Sequence, residues 1–132
     1  MARAPLLHAF TFWTGIYNAV LTLIMLTPSA QQALGVYVCD VAWQRLLAGF
    51  LGYTAVVLIY ASRDLSSRAP LLYWEALLRF AAGLTVIPAG LWGNIGMAGA
   101  ALGVGDTIIG IVYIYGLTVG MGFSHADLLS LR

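Results

Sequence analysis

The chain contains no lysine, only one cysteine (Cys39) and few charges, since 8% of its residues are charged. Without lysine it has no side-chain amine to form a Schiff base or to act as a nucleophile. A lone cysteine cannot form an internal disulfide and has no CxxC partner for zinc or an iron–sulfur cluster, so we interpret Cys39 as a small apolar residue. The formal net charge of +1 offers no basic stripe, and we expect no nucleic-acid partner.

Apolar residues dominate what the sequence does contain. Hydrophobic residues make up 61% of the chain, and the mean hydropathy is +0.91. A water-soluble domain of this size needs polar side chains to cover its surface, and six basic and five acidic residues are too few for that. The composition therefore predicts a protein that is embedded in a lipid bilayer.

Four apolar stretches are long enough to cross a bilayer, which takes roughly 20 residues of helix. Pro28 ends the first stretch, and Pro70 suits the first turn of the third. We also expect a short helix on the membrane surface within residues 29–41. The sequence predicts an all-α fold, a four-transmembrane-helix bundle forming one domain over residues 1–132, with helices at about 6–26, 42–60, 70–91 and 100–120.

The first apolar stretch also has features of a secretory signal peptide, because Arg3 precedes it and small residues follow Pro28. It is, however, longer than the roughly 7–15 residues of a signal-peptide core, and Thr14, Asn18 and Thr22 interrupt it. We therefore expect this segment to be retained as a membrane helix.

The arginines between the predicted helices indicate an orientation, because basic residues favour the cytoplasmic side of a membrane. Arg3, Arg63, Arg68 and Arg132 all fall on the side shared by the two termini. The loops of the other side contain none, and Arg45 lies inside the predicted second helix. The sequence thus predicts cytoplasmic termini in a multi-pass protein of the inner (plasma) membrane.

Four ionisable residues fall inside the predicted helices: Arg45, Glu75, Arg79 and Asp106. Charges within a membrane are costly and are the first place to look for function. Glu75 precedes Arg79 by four residues, the favourable order for an ion pair on one helix face. We predict a buried polar layer of these four residues, with Asp106 within reach of Arg45 or Arg79. The layer either fixes the register of the bundle or forms a site for a headgroup, a quinone or a proton path.

Glycines at short spacing predict close helix packing or a cleft for a lipid or pigment tail. The candidates are Gly49 and Gly52 in the second helix and Gly116 and Gly120 near the end of the fourth. His8 and His125 fall near the cytoplasmic surface, where we expect solvated side chains. We predict no metal site and no catalytic residue.

The stretch 77–84, which reads LLRFAAGL, resembles the arginine-then-glycine helix of DoxX-like membrane proteins. In that group the helices form a small bundle, and some members resemble the membrane subunit of a thiosulfate:quinone oxidoreductase. The resemblance implies that Arg79 is a buried polar residue near a quinone or a partner subunit.

Three functions follow as hypotheses. The first is a subunit without catalysis of its own, which packs against a larger membrane complex or its own copies, together with bound lipid, quinone or pigment. The second is an oligomeric transporter or channel for a small solute, with a path lined by Arg45, Asn94 and Asp106. The third is a quinone-linked DoxX-like redox subunit that uses Glu75 or Asp106.

Overall fold

The computed structural model describes residues 4–36 and 40–130 and consists of helices joined by short connections. Cys39, Arg3 and Arg132 lie outside the described residues. The helices are α1 (Ala4–Leu26), α2 (Pro28–Leu34), α3 (Val41–Ala61), α4 (Leu65–Leu91), α5 (Gly96–Tyr115) and α6 (His125–Ser130), and a π-helical segment (Gly116–Gly120) continues α5.

Four helices, α1, α3, α4 and α5 with its π-helical extension, are long and apolar enough to cross a membrane. The all-helical architecture fits a four-helix bundle, as the composition predicts. The short α2 follows α1 directly, with Pro28 in its first turn, and ends at Gly35 in a left-handed conformation (φ 68°). A short helix within residues 29–41 was expected, and α2 occupies the first part of that segment.

The third long helix begins at Leu65, five residues before the predicted start at Pro70. The reason is a helix cap that outweighs the proline. The Asp64 carboxylate accepts hydrogen bonds from the Ser67 amide (3.3 Å) and from the Ser66 hydroxyl (2.7 Å). The bond from the Ser67 amide satisfies a backbone donor that a helix N-terminus leaves open, and the bond from Ser66 holds the carboxylate in place. The connection between α3 and α4 is therefore a tight turn rather than the predicted loop over 61–69.

We predict that the stability of the Asp64 cap depends on pH. The hydrogen bonds from Ser67 and then Ser66 lower the pKa of the Asp64 carboxyl to about 2. An unfolded aspartate has a pKa of about 3.9, so the cap contributes fully above that pH and is lost as the pH falls through about 2. We expect the amide hydrogen-exchange protection factors of the first turn of α4 to fall across this window.

In Asp64→Ala the same amides should be poorly protected at every pH. Asp40→Ala is the matched control, because Asp40 caps α3 through the Ala42 amide at 2.7 Å and should leave the start of α4 unchanged. Equal protection at the start of α4 in wild type and Asp64→Ala would contradict this role of the carboxylate.

The four long helices pack as two pairs, α1 with α3 and α4 with α5, and α3 and α4 touch much less extensively. Glycines allow both close approaches. A methyl group added at Gly15 of α1 would lie 3.2 Å from the Ala55 carbonyl oxygen of α3. One added at Gly90 of α4 would lie 2.4 Å from the Ala100 backbone nitrogen of α5. What joins the two pairs is therefore central to the stability of the bundle.

Two apolar clusters fill the interior, one at each end. The larger lies near the α3–α4 turn and includes Leu58, Leu72 and Leu117, all fully buried. The smaller surrounds Met25 and Ala48. On α5, the charged residue Asp106 lies between Leu102 of the smaller cluster and Tyr113 of the larger one. The interior thus has a polar layer with an apolar cluster on either side.

Candidate functional site

Arg79 lies at the centre of the polar layer. It projects from the middle of α4, about 18 Å from the end of that helix at 1.5 Å per residue, and is 4% exposed. Its Nη2 lies 3.2 Å from Oε1 of Glu75, one turn earlier on the same helix. Its Nη1 donates to Oδ1 of Asp106 on α5. One guanidinium thus joins two carboxylates and ties α4 to α5.

The same guanidinium connects the two helix pairs through Asn18 of α1. Nη2 of Arg79 donates to Oδ1 of Asn18 at 3.2 Å. The Asn18 amide group donates in turn to the Thr54 hydroxyl of α3 at 2.7 Å, and that hydroxyl donates to the Leu51 carbonyl at 3.0 Å. Asn18 is 2% exposed. A continuous hydrogen-bonded network therefore reaches all four long helices.

Sequence reasoning missed Asn18 and Thr54 as members of this layer. Each is one polar side chain within an apolar helix, and a buried amide or hydroxyl in such a place needs a partner. That rule flags both residues as members of a network. It does not identify their partners, because those depend on which helices are neighbours.

Tyr113 lies at the boundary between the polar layer and the larger apolar cluster. Its ring is fully buried and its centroid lies 5.8 Å from the Arg79 guanidinium carbon. Its hydroxyl is hydrogen-bonded to the Thr14 hydroxyl of α1, and Phe10 packs edge-on against the ring at 5.7 Å. The tyrosine bonds α5 directly to α1, which is a second polar link between the two helix pairs.

A cleft of about 130 Å³ opens beside the network. Its polar lining is Glu75, Arg79, Asp106, Asn18 and Thr54. Its apolar walls are Leu47, Phe50, Leu51, Leu78, Ala82 and Val86. A few convergent polar groups within an apolar wall are one feature of small-molecule sites, although the volume of this cleft is below the roughly 300–1,000 Å³ of a drug-sized pocket.

Arg45 does not belong to this site. Its side chain is exposed on α3, and Asp106 is paired with Arg79 instead. The structure therefore places Arg45 outside the group that Glu75, Arg79 and Asp106 form. The reason is the packing order, since α5 packs mainly on α4 and α3 mainly on α1.

The predicted glycines have mixed surroundings. A methyl group at Gly49 would meet open space, and one at Gly52 would make ordinary contact with the Thr22 side chain at 3.5 Å. Gly49 is thus not a position of close approach. Gly116 lies against the Leu7 side chain, and Gly116 and Gly120 line an apolar groove between α1 and the end of α5.

The two histidines have separate partners at the end of the bundle that holds the α3–α4 turn. Nδ1 of His8 lies 2.7 Å from the Ser62 carbonyl oxygen, and Nδ1 of His125 lies 3.1 Å from the Tyr73 hydroxyl. Within residues 4–36 and 40–130, no three His, Cys, Asp or Glu side chains are grouped closely enough to hold a metal ion.

Comparisons with known proteins identify no relative. No family model matches the chain, and neither does any curated protein or any solved structure. The resemblance of residues 77–84 to DoxX-like proteins stays a prediction based on that stretch alone.

Proposed function

We propose that the chain is a multi-pass membrane protein that binds a lipid-soluble ligand in the cleft beside Arg79, and that it serves as an accessory subunit without catalysis of its own. The observation that carries this proposal is the convergence of Glu75, Arg79, Asp106, Asn18 and Thr54 on one cleft with apolar walls. A polar head would meet the accessible edge of this group, chiefly Asp106, whose side chain is 27% exposed, and a hydrocarbon tail would extend out of the cleft along its apolar walls.

The state of the polar groups favours binding over catalysis. The two carboxylates are engaged by Arg79, and the amide of Asn18 is engaged by Thr54. Groups held in such a network present a fixed pattern of charges and donors, which suits recognition of a headgroup, a quinone or a pigment. The transporter and quinone-linked redox hypotheses stay predictions, as does packing against a larger complex.

The same proposal includes insertion in the plasma membrane with both termini in the cytoplasm. Arg63 and Arg68 lie at the α3–α4 end of the bundle. The Arg68 guanidinium lies 3.6 Å from the centre of the Tyr60 ring and its Nη1 donates to the Tyr60 carbonyl at 2.5 Å. An arginine stacked on a tyrosine at a helix end is typical of the membrane–water interface.

The test is to purify the protein in a mild detergent and to identify what remains bound, by native mass spectrometry and by analysis of an organic extract. Ala82→Phe places a ring in the cleft without altering any charge. The neighbouring Ala81 is exposed on α4, so Ala81→Phe is a matched control. We expect wild type and Ala81→Phe to retain the ligand, and folded Ala82→Phe to retain at least about fivefold less.

Two results would overturn the ligand-binding proposal: a wild-type protein that retains no ligand, or equal retention by the two phenylalanine variants. The same preparation tests the accessory role. Other membrane proteins that co-purify in fixed proportion support it, and recovery as a solitary monomer contradicts it.

A further inference from the structure

The polar layer contains more negative than positive charge. Glu75 and Asp106 share a single guanidinium, that of Arg79. The network partners of these three residues, Asn18 and Thr54, are neutral. Ionised side chains in this group therefore sum to one excess negative charge. An uncompensated charge inside a bilayer costs several kcal/mol, so the layer is balanced either by a proton on one carboxylate or by a positive charge from elsewhere.

The geometry leaves room for that charge in the cleft. Arg79 engages each carboxylate through one oxygen, Oε1 of Glu75 and Oδ1 of Asp106, which leaves Oε2 and Oδ2 to other donors. Both acids line the cleft, and so does the ring of Phe50. Carboxylates beside an aromatic face form a favourable environment for an ammonium group.

We propose that the polar head of the ligand is a cation, an ammonium group attached to a hydrocarbon tail, held by Glu75 and Asp106. This inference rests on the proposed ligand-binding function and names the chemical class of the ligand. Arg79 acts in it as a positioning residue, because it holds the two carboxylates on either side of itself. The aliphatic walls of the cleft contact the start of the tail, and the rest of the tail extends out of the cleft, whose volume is about 130 Å³.

Three probes with similar hydrocarbon tails distinguish the effect of head charge on binding from the effect of lipid solubility. They are dodecyltrimethylammonium, dodecanol and dodecanoate. Each is titrated below its micelle concentration into the protein in phosphatidylcholine nanodiscs, and saturable binding is measured against empty nanodiscs. We expect dodecyltrimethylammonium to bind at least about tenfold more tightly than dodecanol, and dodecanoate to bind most weakly.

Substitution of each carboxylate tests whether that side chain gives the preference for the ammonium probe. We expect Glu75→Gln and Asp106→Asn each to weaken binding of the ammonium probe about tenfold and to reduce its preference over dodecanol by a similar factor. Asp127→Asn removes an exposed carboxylate near the end of the chain and should behave as wild type. Two carboxylate variants are used so that the misfolding of one leaves the other as a test.

The outcomes distinguish this inference from the proposed function. If dodecanol and the ammonium probe bind equally, the inference of a cationic head is overturned, but the proposed ligand binding is supported. A proton on one carboxylate then balances the charge of the layer. An ammonium preference that both carboxylate variants retain also overturns the inference. If none of the three probes binds saturably, the proposed function itself fails.

Discussion

Replacing Arg79 with methionine is expected to destabilise the protein by about 3–5 kcal/mol, the range seen when one partner of a buried ion pair is removed. Among the residues that the structure describes, the arginine is the only one seen to contact both the buried Glu75 carboxylate and the half-buried Asp106 carboxylate. Without it, Glu75 and Asp106 face each other across the α4–α5 contact with no cation between them. The hydrogen bond to Asn18, which joins the two helix pairs, is lost as well.

The measurement is unfolding by SDS titration of the protein in mild-detergent micelles, followed by circular dichroism. Arg45→Met is the matched control, since it makes the same substitution at an exposed position of α3. We expect it to alter stability by less than about 0.5 kcal/mol. Similar losses in the two variants would show that the buried ion pairs do not hold the bundle together.

A combined variant tests the cause of the loss. The triple variant adds Glu75→Gln and Asp106→Asn to Arg79→Met. It removes the two unpaired negative charges and keeps the volumes of these two side chains. Replacement of a whole buried ionic group is often close to neutral, whereas removal of one member is not. We therefore expect the triple variant to recover most of the stability that Arg79→Met loses. If the triple variant is destabilised as much as Arg79→Met, the loss of stability comes from packing of the arginine side chain and not from the unpaired charges.

The sequence predicts the parts of this layer that depend on local geometry. Glu75 and Arg79 are four residues apart on one helix, and α-helical geometry alone brings such side chains together. Their ion pair at 3.2 Å needs no knowledge of the fold. The four long helices are likewise predictable, because the length and apolarity of a membrane span depend only on consecutive residues.

What the sequence leaves open is the order in which the helices pack. Asp106 has two arginines as candidate partners, Arg45 and Arg79. Only the packing of α5 on α4 decides between them. Helix neighbours in a membrane are chosen by close fit of small residues over many positions, and a single sequence does not show which glycines meet. The same limit explains the missed link between Asn18 and Thr54.

The start of α4 shows a second kind of limit. Pro70 favours a helix start at its own position, and Asp64 favours one five residues earlier. Both signals are present in the sequence. The hydrogen bonds from Ser66 and Ser67 to Asp64 decide in favour of the earlier start, and their combined effect depends on the local backbone that only the structure supplies.

Replacing Gly90 with alanine is expected to destabilise the contact between α4 and α5 by about 1–3 kcal/mol, the usual cost of overpacking. The added methyl carbon would lie 2.4 Å from the Ala100 nitrogen and 2.7 Å from its α-carbon. These are backbone atoms, so no rotation of a side chain relieves the contact and the two helices must separate. Separation would also lengthen the Arg79–Asp106 contact, since it joins the same pair of helices.

Gly105→Ala is the control, because it makes the same substitution on α5 at a position where an added methyl group meets nothing within 4 Å. Alanine favours a helix over glycine by up to about 1 kcal/mol, so this variant should be as stable as wild type or more stable. The measurement is again SDS titration. Equal stability of the two variants would contradict a backbone contact at Gly90.

A second substitution separates backbone from side-chain crowding at this contact. Ala100→Gly removes the Ala100 β-carbon, which lies 2.5 Å from the position of the added methyl group, but leaves the backbone nitrogen at 2.4 Å. In the double variant Gly90→Ala with Ala100→Gly, we therefore expect most of the loss to persist. Full recovery would mean that the β-carbon alone sets the distance between α4 and α5. Persistence would show that glycine at position 90 is needed for the helix approach that brings Asp106 to Arg79.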